Sequence, residues 1–138
     1  MATTTPGYSG TPLARKLGLH DGSTLHLHGA PDGYEGWLEP LPAGLAVVPK
    51  ADAKTDVAHA FVTQREELAA LLPKLRKALR PDAALWISWP KKSSKVPSTV
   101  TEDTIRELAL PLGFVDVKVC AVSDVWSGLK LVVRKELR

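Results

Sequence analysis

Apolar residues recur along this 138-residue chain in three rhythms, and each rhythm predicts a different element. TLHLH at 24–28 alternates, which predicts a strand with one buried face. VAHAFV at 57–62 and ALWISW at 84–89 are nearly continuous apolar runs, the pattern of strands buried on both faces. Between them Leu68, Leu71, Leu72, Leu75 and Leu79 repeat at helical spacing, and the charges fall on other positions. Strand, helix and strand in that order predict a right-handed parallel unit. Thr63 with Glu66 reads as the capping box of its helix, Pro73 as a kink and Pro81-Asp82 as its end.

Around this unit the remaining elements are shorter. Residues 1–10 carry Gly7 and Gly10 without periodicity and are expected to form a flexible arm, leaving 11–138 as one domain. Thr11 and Pro12 open a short helix that Gly18 stops. Gly29-Ala30-Pro31-Asp32-Gly33 turns the first strand, Tyr34 to Leu38 suits a helical turn, and Leu45 to Val48 suits a short strand. Thr101 caps a helix whose buried face is Ile105, Leu108, Ala109 and Leu112, with Gly113 as its stop. FVDVKVCAV and LKLVVRKE, joined by SDVWSG, read as an antiparallel hairpin. The whole predicts a three-layer α/β domain with a mainly parallel sheet closed by a C-terminal hairpin.

Composition narrows the class further. An apolar share of 44% and a charged share of 24% are those of a globular protein, and no apolar run reaches membrane-spanning length. The single cysteine, Cys120, excludes an intramolecular disulfide framework and, with an N-terminus lacking a secretory pattern, predicts a cytoplasmic protein. The net charge of +3 is unevenly placed. Residues 64–95 hold eight basic side chains against three acidic ones, so this segment is +5 and the remainder −2. Lys74 to Arg80 fit the negative end of a helix dipole. Lys91, Lys92 and Lys95 have no such explanation.

The order of elements resembles a class I methyltransferase fold, Rossmann-like and reduced to a minimum. That resemblance implies S-adenosylmethionine as cofactor, held by a glycine-rich loop after the first strand and an acid ending the second. The chain departs from both features. His28 precedes the loop, Pro31 interrupts it without an N–H, and Pro49 and Lys50 follow the second strand. Its third strand and two neighbouring helices are missing, and the eight residues between Val48 and Val57 are short for a parallel crossover. At a finer level GYSGTPLARKLGL, GAPDGY, HAFVTQREEL, LWISWPKKSSKVP, TEDTIRELALPLGFVDVKVCAV and WSGLKLVVRKE resemble a family of small, mainly actinobacterial proteins, the domain of unknown function 3052. That family implies no activity.

Candidate chemistry gathers where the strands end. In sheets of this kind ligands bind outside the carboxyl ends of parallel strands. The expected rim is Gly29, Gly33, Arg65, Lys91, Lys92 and Lys95, suited to an anionic small molecule or a protein partner. Ser93, Ser94 and backbone amides would add hydrogen bonds; the contrasting reading is a solvated lysine loop. Trp126 in the hairpin turn either anchors an interface or folds back over the sheet. His26 and His28 share a face but lack the further ligands a metal needs. His59 is expected to pack within its strand. Cys120 shares a face with Lys118, yet a buried thiol there stays inert. No catalytic residue, metal or cofactor is expected. The leading reading is a non-catalytic binding or regulatory module, ahead of a methyltransferase or its relic, and of a weak nucleic-acid-binding accessory.

Overall fold

The computed structural model describes residues 12–138; the arm at 1–10 and the cap at Thr11 lie outside the described residues. Among the described residues six strands form one sheet: β1 (Thr24–His28), β2 (Ala46–Val48), β3 (Val57–Phe61), β4 (Ala84–Pro90), β5 (Phe114–Ala121) and β6 (Trp126–Val133). Their order is β2-β1-β3-β4-β6-β5, parallel through β4 and antiparallel at β6 and β5. Among the described residues four α-helices accompany them: α1 (Leu13–Lys16), α2 (Tyr34–Trp37), α3 (Arg65–Ala78) and α4 (Glu102–Ala109). The hairpin turn, residues 122–125, is two residues shorter than the six of SDVWSG: Trp126, Ser127 and Gly128 already belong to β6, while Val122 lies outside β5.

Alternation along the strands divides the core in two. Ala58, Ala60, Leu85, Ile87, Leu129 and Leu131 face α3 and α4, meeting Leu68, Leu72, Leu75 and Ile105. Leu25, Val57, Phe61 and Trp86 point the other way, towards Leu13 and Leu17 at α1 and Tyr34 of α2. Every residue of β3 is buried, as its unbroken apolar run requires. Trp86 and Trp89 are both core, on opposite faces, and the Trp86 indole N–H donates to the Leu17 carbonyl at 3.1 Å. Helices therefore cover both faces, though α1 and α2 are single turns.

The eight-residue passage from β2 to β3 is feasible because β2 is short. Val48 lies level with His26 and Val57 level with Leu25. The chain has only to step over β1, roughly 10 Å at the usual strand spacing, without retracing the length of the sheet. No crossover helix is needed.

One local expectation is overturned. Thr63 does not cap α3: the helix starts at Arg65 with Gln64 as its N-cap, and no side chain of the helix's own first turn satisfies it. The cap comes from across the molecule. The Arg65 N–H donates to Thr99 Oγ1 at 2.7 Å, and the Thr99 N–H donates to the Thr63 carbonyl at 2.9 Å. By contrast Thr101 caps α4 as expected, in a reciprocal box with Thr104. Replacing Thr99 by Ala is therefore expected to lower unfolding free energy by about 1 kcal/mol. Thr63→Ala should stay within about 0.5 kcal/mol of the parent. Urea midpoints of the two variants check this directly; a larger loss at Thr63 would restore it as the cap.

Candidate functional site

Parallel strands end together, so topology places the rim. His28 is level with Ala60, and Ala60 with Ile87; the loops after β1, β3 and β4 consequently leave along one border. Gly29 follows β1 with φ +67°, and a Cβ there would lie 2.8 Å from the Phe61 carbonyl oxygen. Gly33 precedes α2 with φ +82° and open space around it. Both offer backbone only. Arg65 opens α3, and its guanidinium pairs with Glu107 of α4 at 3.5 Å.

Lys91, Lys92 and Lys95 sit on a built turn. The Lys91 N–H donates to the Val125 carbonyl at 2.8 Å, tying the loop after β4 to the hairpin turn. Ser94 closes the turn through its hydroxyl, which donates to the Lys91 carbonyl at 2.6 Å. A short 3₁₀ turn over Lys92–Ser94 follows, and Lys95 ends it in the left-handed region with φ 61°. That conformation is disfavoured by roughly 1–2 kcal/mol for a residue with a Cβ. Among the described residues these three lysines make no ion pair.

Beneath the rim lies a feature that single residues did not reveal. The Tyr34 hydroxyl is 2.7 Å from His59 Nδ1, and His59 Nε2 is 2.7 Å from Ser88 Oγ. All three side chains are buried. One proton on the imidazole makes it donor at one end and acceptor at the other, so a neutral ring satisfies both neighbours. Burial pushes His59 down to about 3, and burial, with Cys120 nearby, holds Tyr34 as the neutral phenol. Polar residues inside otherwise apolar strands, His59 in VAHAF and Ser88 in ALWISWP, were the available signal. Ser88 is inaccessible, and the Tyr34–His59–Ser88 trio organises the core.

Aromatic rings close the space above it. Phe61 stacks on His59 with centroids 4.3 Å apart and meets Trp126 edge-on at 5.0 Å. Tyr34 meets Phe61 at 5.5 Å and Trp37 at 5.8 Å. Trp126 is thus half-buried, folded back over the sheet. Pro31 stands in the loop that leads into this cluster.

The weaker candidates also have places. His26 and His28 do share the α3 face, His26 Nδ1 lying 3.2 Å from the Val48 carbonyl and His28 Nε2 3.0 Å from Glu67 Oε2. Among the described residues no three potential ligands converge on a metal position. Burial raises the Cys120 thiol, while Lys16 and Lys118 pull it the other way. Two open grooves, about 480 and 530 Å³, occur near the strand starts and beside α1, and neither is lined by a rim residue. Among the described residues no helix is long and apolar enough to cross a membrane.

No protein-family model matches the sequence, and no functionally curated protein does. Solved structures do. A SAM-dependent methyltransferase from Aquifex aeolicus superposes with a TM-score of 0.65 at 17% identity, covering 88% of each chain. A protein from Sulfolobus solfataricus assigned to the type 11 methyltransferases gives 0.64 at 12% identity, over 89% of this chain and 90% of that one. The PH0226 protein of Pyrococcus horikoshii OT3 gives 0.61 at 12% identity, over 89% and 87%. At such identities the likeness is one of fold, and the fold is methyltransferase-like and Rossmann-like.

Proposed function

We propose that this chain is a non-catalytic binding module on a methyltransferase-like fold, taking a small anion or an acidic protein segment at its carboxyl-end rim. The lysine turn carries this reading. Three cations without acidic partners among the described residues stand on a hydrogen-bonded turn whose last residue is held in an unfavourable conformation. A merely solvated loop gains nothing from that order, whereas an anion site gains preorganisation. Against catalysis stand Pro31 and the interlocked rings of Tyr34, Trp37, Phe61 and Trp126. The strings similar to the domain of unknown function 3052, and a cytoplasmic setting for a chain with one half-buried thiol, belong to the same reading.

The second reading is a S-adenosylmethionine-dependent methyltransferase or a relic of one. The likeness to the Aquifex aeolicus SAM-dependent methyltransferase supports it at the level of fold. So does the close approach of the Gly29 backbone to β3, since ligand loops of this type use such glycines.

Calorimetric titration separates the two. Inorganic pyrophosphate is expected to bind, and Lys91→Ala with Lys92→Ala to weaken it at least tenfold. S-adenosylmethionine at millimolar concentration is expected to give no heat. Saturable binding of S-adenosylmethionine would replace the first reading by the second. Oligonucleotide binding that falls steeply with salt, and outcompetes pyrophosphate, would point to nucleic acid.

A further inference from the structure

We propose that Lys118 and Lys130, on the sheet face beside α1, form an anion site of their own for a phosphate monoester. This site lies away from the rim and does not rest on the reading given to it. Lys118 on edge strand β5 stands directly opposite Lys130 on β6, and Lys130 stands opposite the buried Trp86 of β4. Two cations therefore adjoin on one face of the sheet. Like charges placed directly opposite each other destabilise a strand pair, and a dianion between them reverses the sign of the interaction. Neither lysine makes an ion pair among the described residues.

Acids nearby are already committed. Lys130 lines the groove of about 480 Å³ together with Asp21, Asp56, Asp82, His20 and Arg80. Asp56 accepts from Arg80 Nη2 at 2.6 Å with one oxygen and from the Thr24 N–H at 2.8 Å with the other. Asp82 accepts from Arg80 Nε at 2.8 Å, and Asp21 from the Ala43 N–H at 3.0 Å. Arg80 also donates through Nη1 to the Thr55 carbonyl at 3.0 Å. The Lys130 ammonium, half-buried and lowered in pKa by burial and by Lys118, makes no ion pair with these acids. A third charge, Lys16 at the end of α1, acts on the same neighbourhood, since it and Lys118 both influence Cys120.

The chemistry that fits is a group with two negative charges on a small organic body. Lysines bind phosphate as point charges without demanding a planar partner, and the organic body has room in the adjoining groove, which Lys130 lines and Lys118 does not. A single carboxylate would leave one ammonium uncompensated.

Phenyl phosphate titrated into the full chain at constant ionic strength, followed by amide NMR, tests this. Saturable shifts are expected at Lys118, Lys130 and His20. Lys118→Met and Lys130→Met should each weaken binding at least tenfold, while the Lys91→Ala, Lys92→Ala, Lys95→Ala triple variant should bind as the parent does. Thermal melting gives a second readout: Lys130→Met should melt no lower than the parent without phosphate and should lose the rise that phenyl phosphate confers. Absence of saturation, shifts confined to Lys91–Lys95, or binding that survives in the Lys118→Met, Lys130→Met double variant would overturn the assignment.

Discussion

Lowering the pH from 6.5 towards 3 is expected to remove about 5 kcal/mol of folding stability through His59 alone. In the unfolded chain this imidazole takes up a proton near its ordinary value of 6.5; in the folded chain burial delays protonation to about 3. Between those values the unfolded state holds the extra proton, so acid favours unfolding. The contribution is complete above pH 6.5 and drains at about 1.4 kcal/mol per pH unit below it. Burial is the cause: charging the ring would place an imidazolium where no water reaches it, while the neutral ring has both nitrogens engaged with the Tyr34 and Ser88 hydroxyls at 2.7 Å each. A second ring proton would force two donors onto a chain built for one.

Carboxylates do not obscure this window. Asp116 is held below the ordinary carboxylate value by its hydrogen bond from Arg106, and Asp56, despite opposition from its burial, by the Thr24 N–H and Arg80. Their contributions are present above about pH 4 and fade only below it. Urea unfolding at pH 7, 6, 5 and 4.5 therefore isolates His59. His59→Gln should be less stable at pH 7 yet lose little further between 6 and 4.5. A parent protein with flat stability across that interval would mean that His59 is not buried as described.

What the sequence made legible is what depends on near neighbours. The apolar runs at 57–62 and 84–89 mark β3 and β4 because burial on both faces leaves no room for polar alternation, and parallel pairing then aligns their ends without further information. The shared border of the loops after β1, β3 and β4 was legible for that reason. The cap of α3 was not, because its acceptor, Thr99, comes from another loop that reaches back across the sheet edge. Nor was the Tyr34–His59–Ser88 chain, which needs a helical turn and two strands in fixed register before its atoms meet. The cation pair on the hairpin was hidden similarly: an irregularity between Asp116 and Lys118 resets the alternation and brings Lys118 opposite Lys130.

Two glycines of the rim loop should respond very differently to the same substitution. Gly29→Ala is expected to cost roughly 2–4 kcal/mol, combining a left-handed backbone with overpacking. Gly33→Ala should cost about 1 kcal/mol, from backbone conformation alone. Their φ angles are similar, +67° and +82°, so the difference isolates contact. At Gly33 a new methyl meets nothing within 4 Å. At Gly29 it meets the Phe61 carbonyl oxygen at 2.8 Å, and that oxygen belongs to the backbone of fully buried β3. It has little room to retreat, because the next residue, Val62, donates its N–H to the Ser88 carbonyl of β4 at 3.0 Å. Relief would have to come from the loop, by moving Ala30 and Pro31 away from β3 and changing the rim itself. Urea midpoints measured side by side decide the matter, and equal losses would show that the Gly29 backbone does not press on β3.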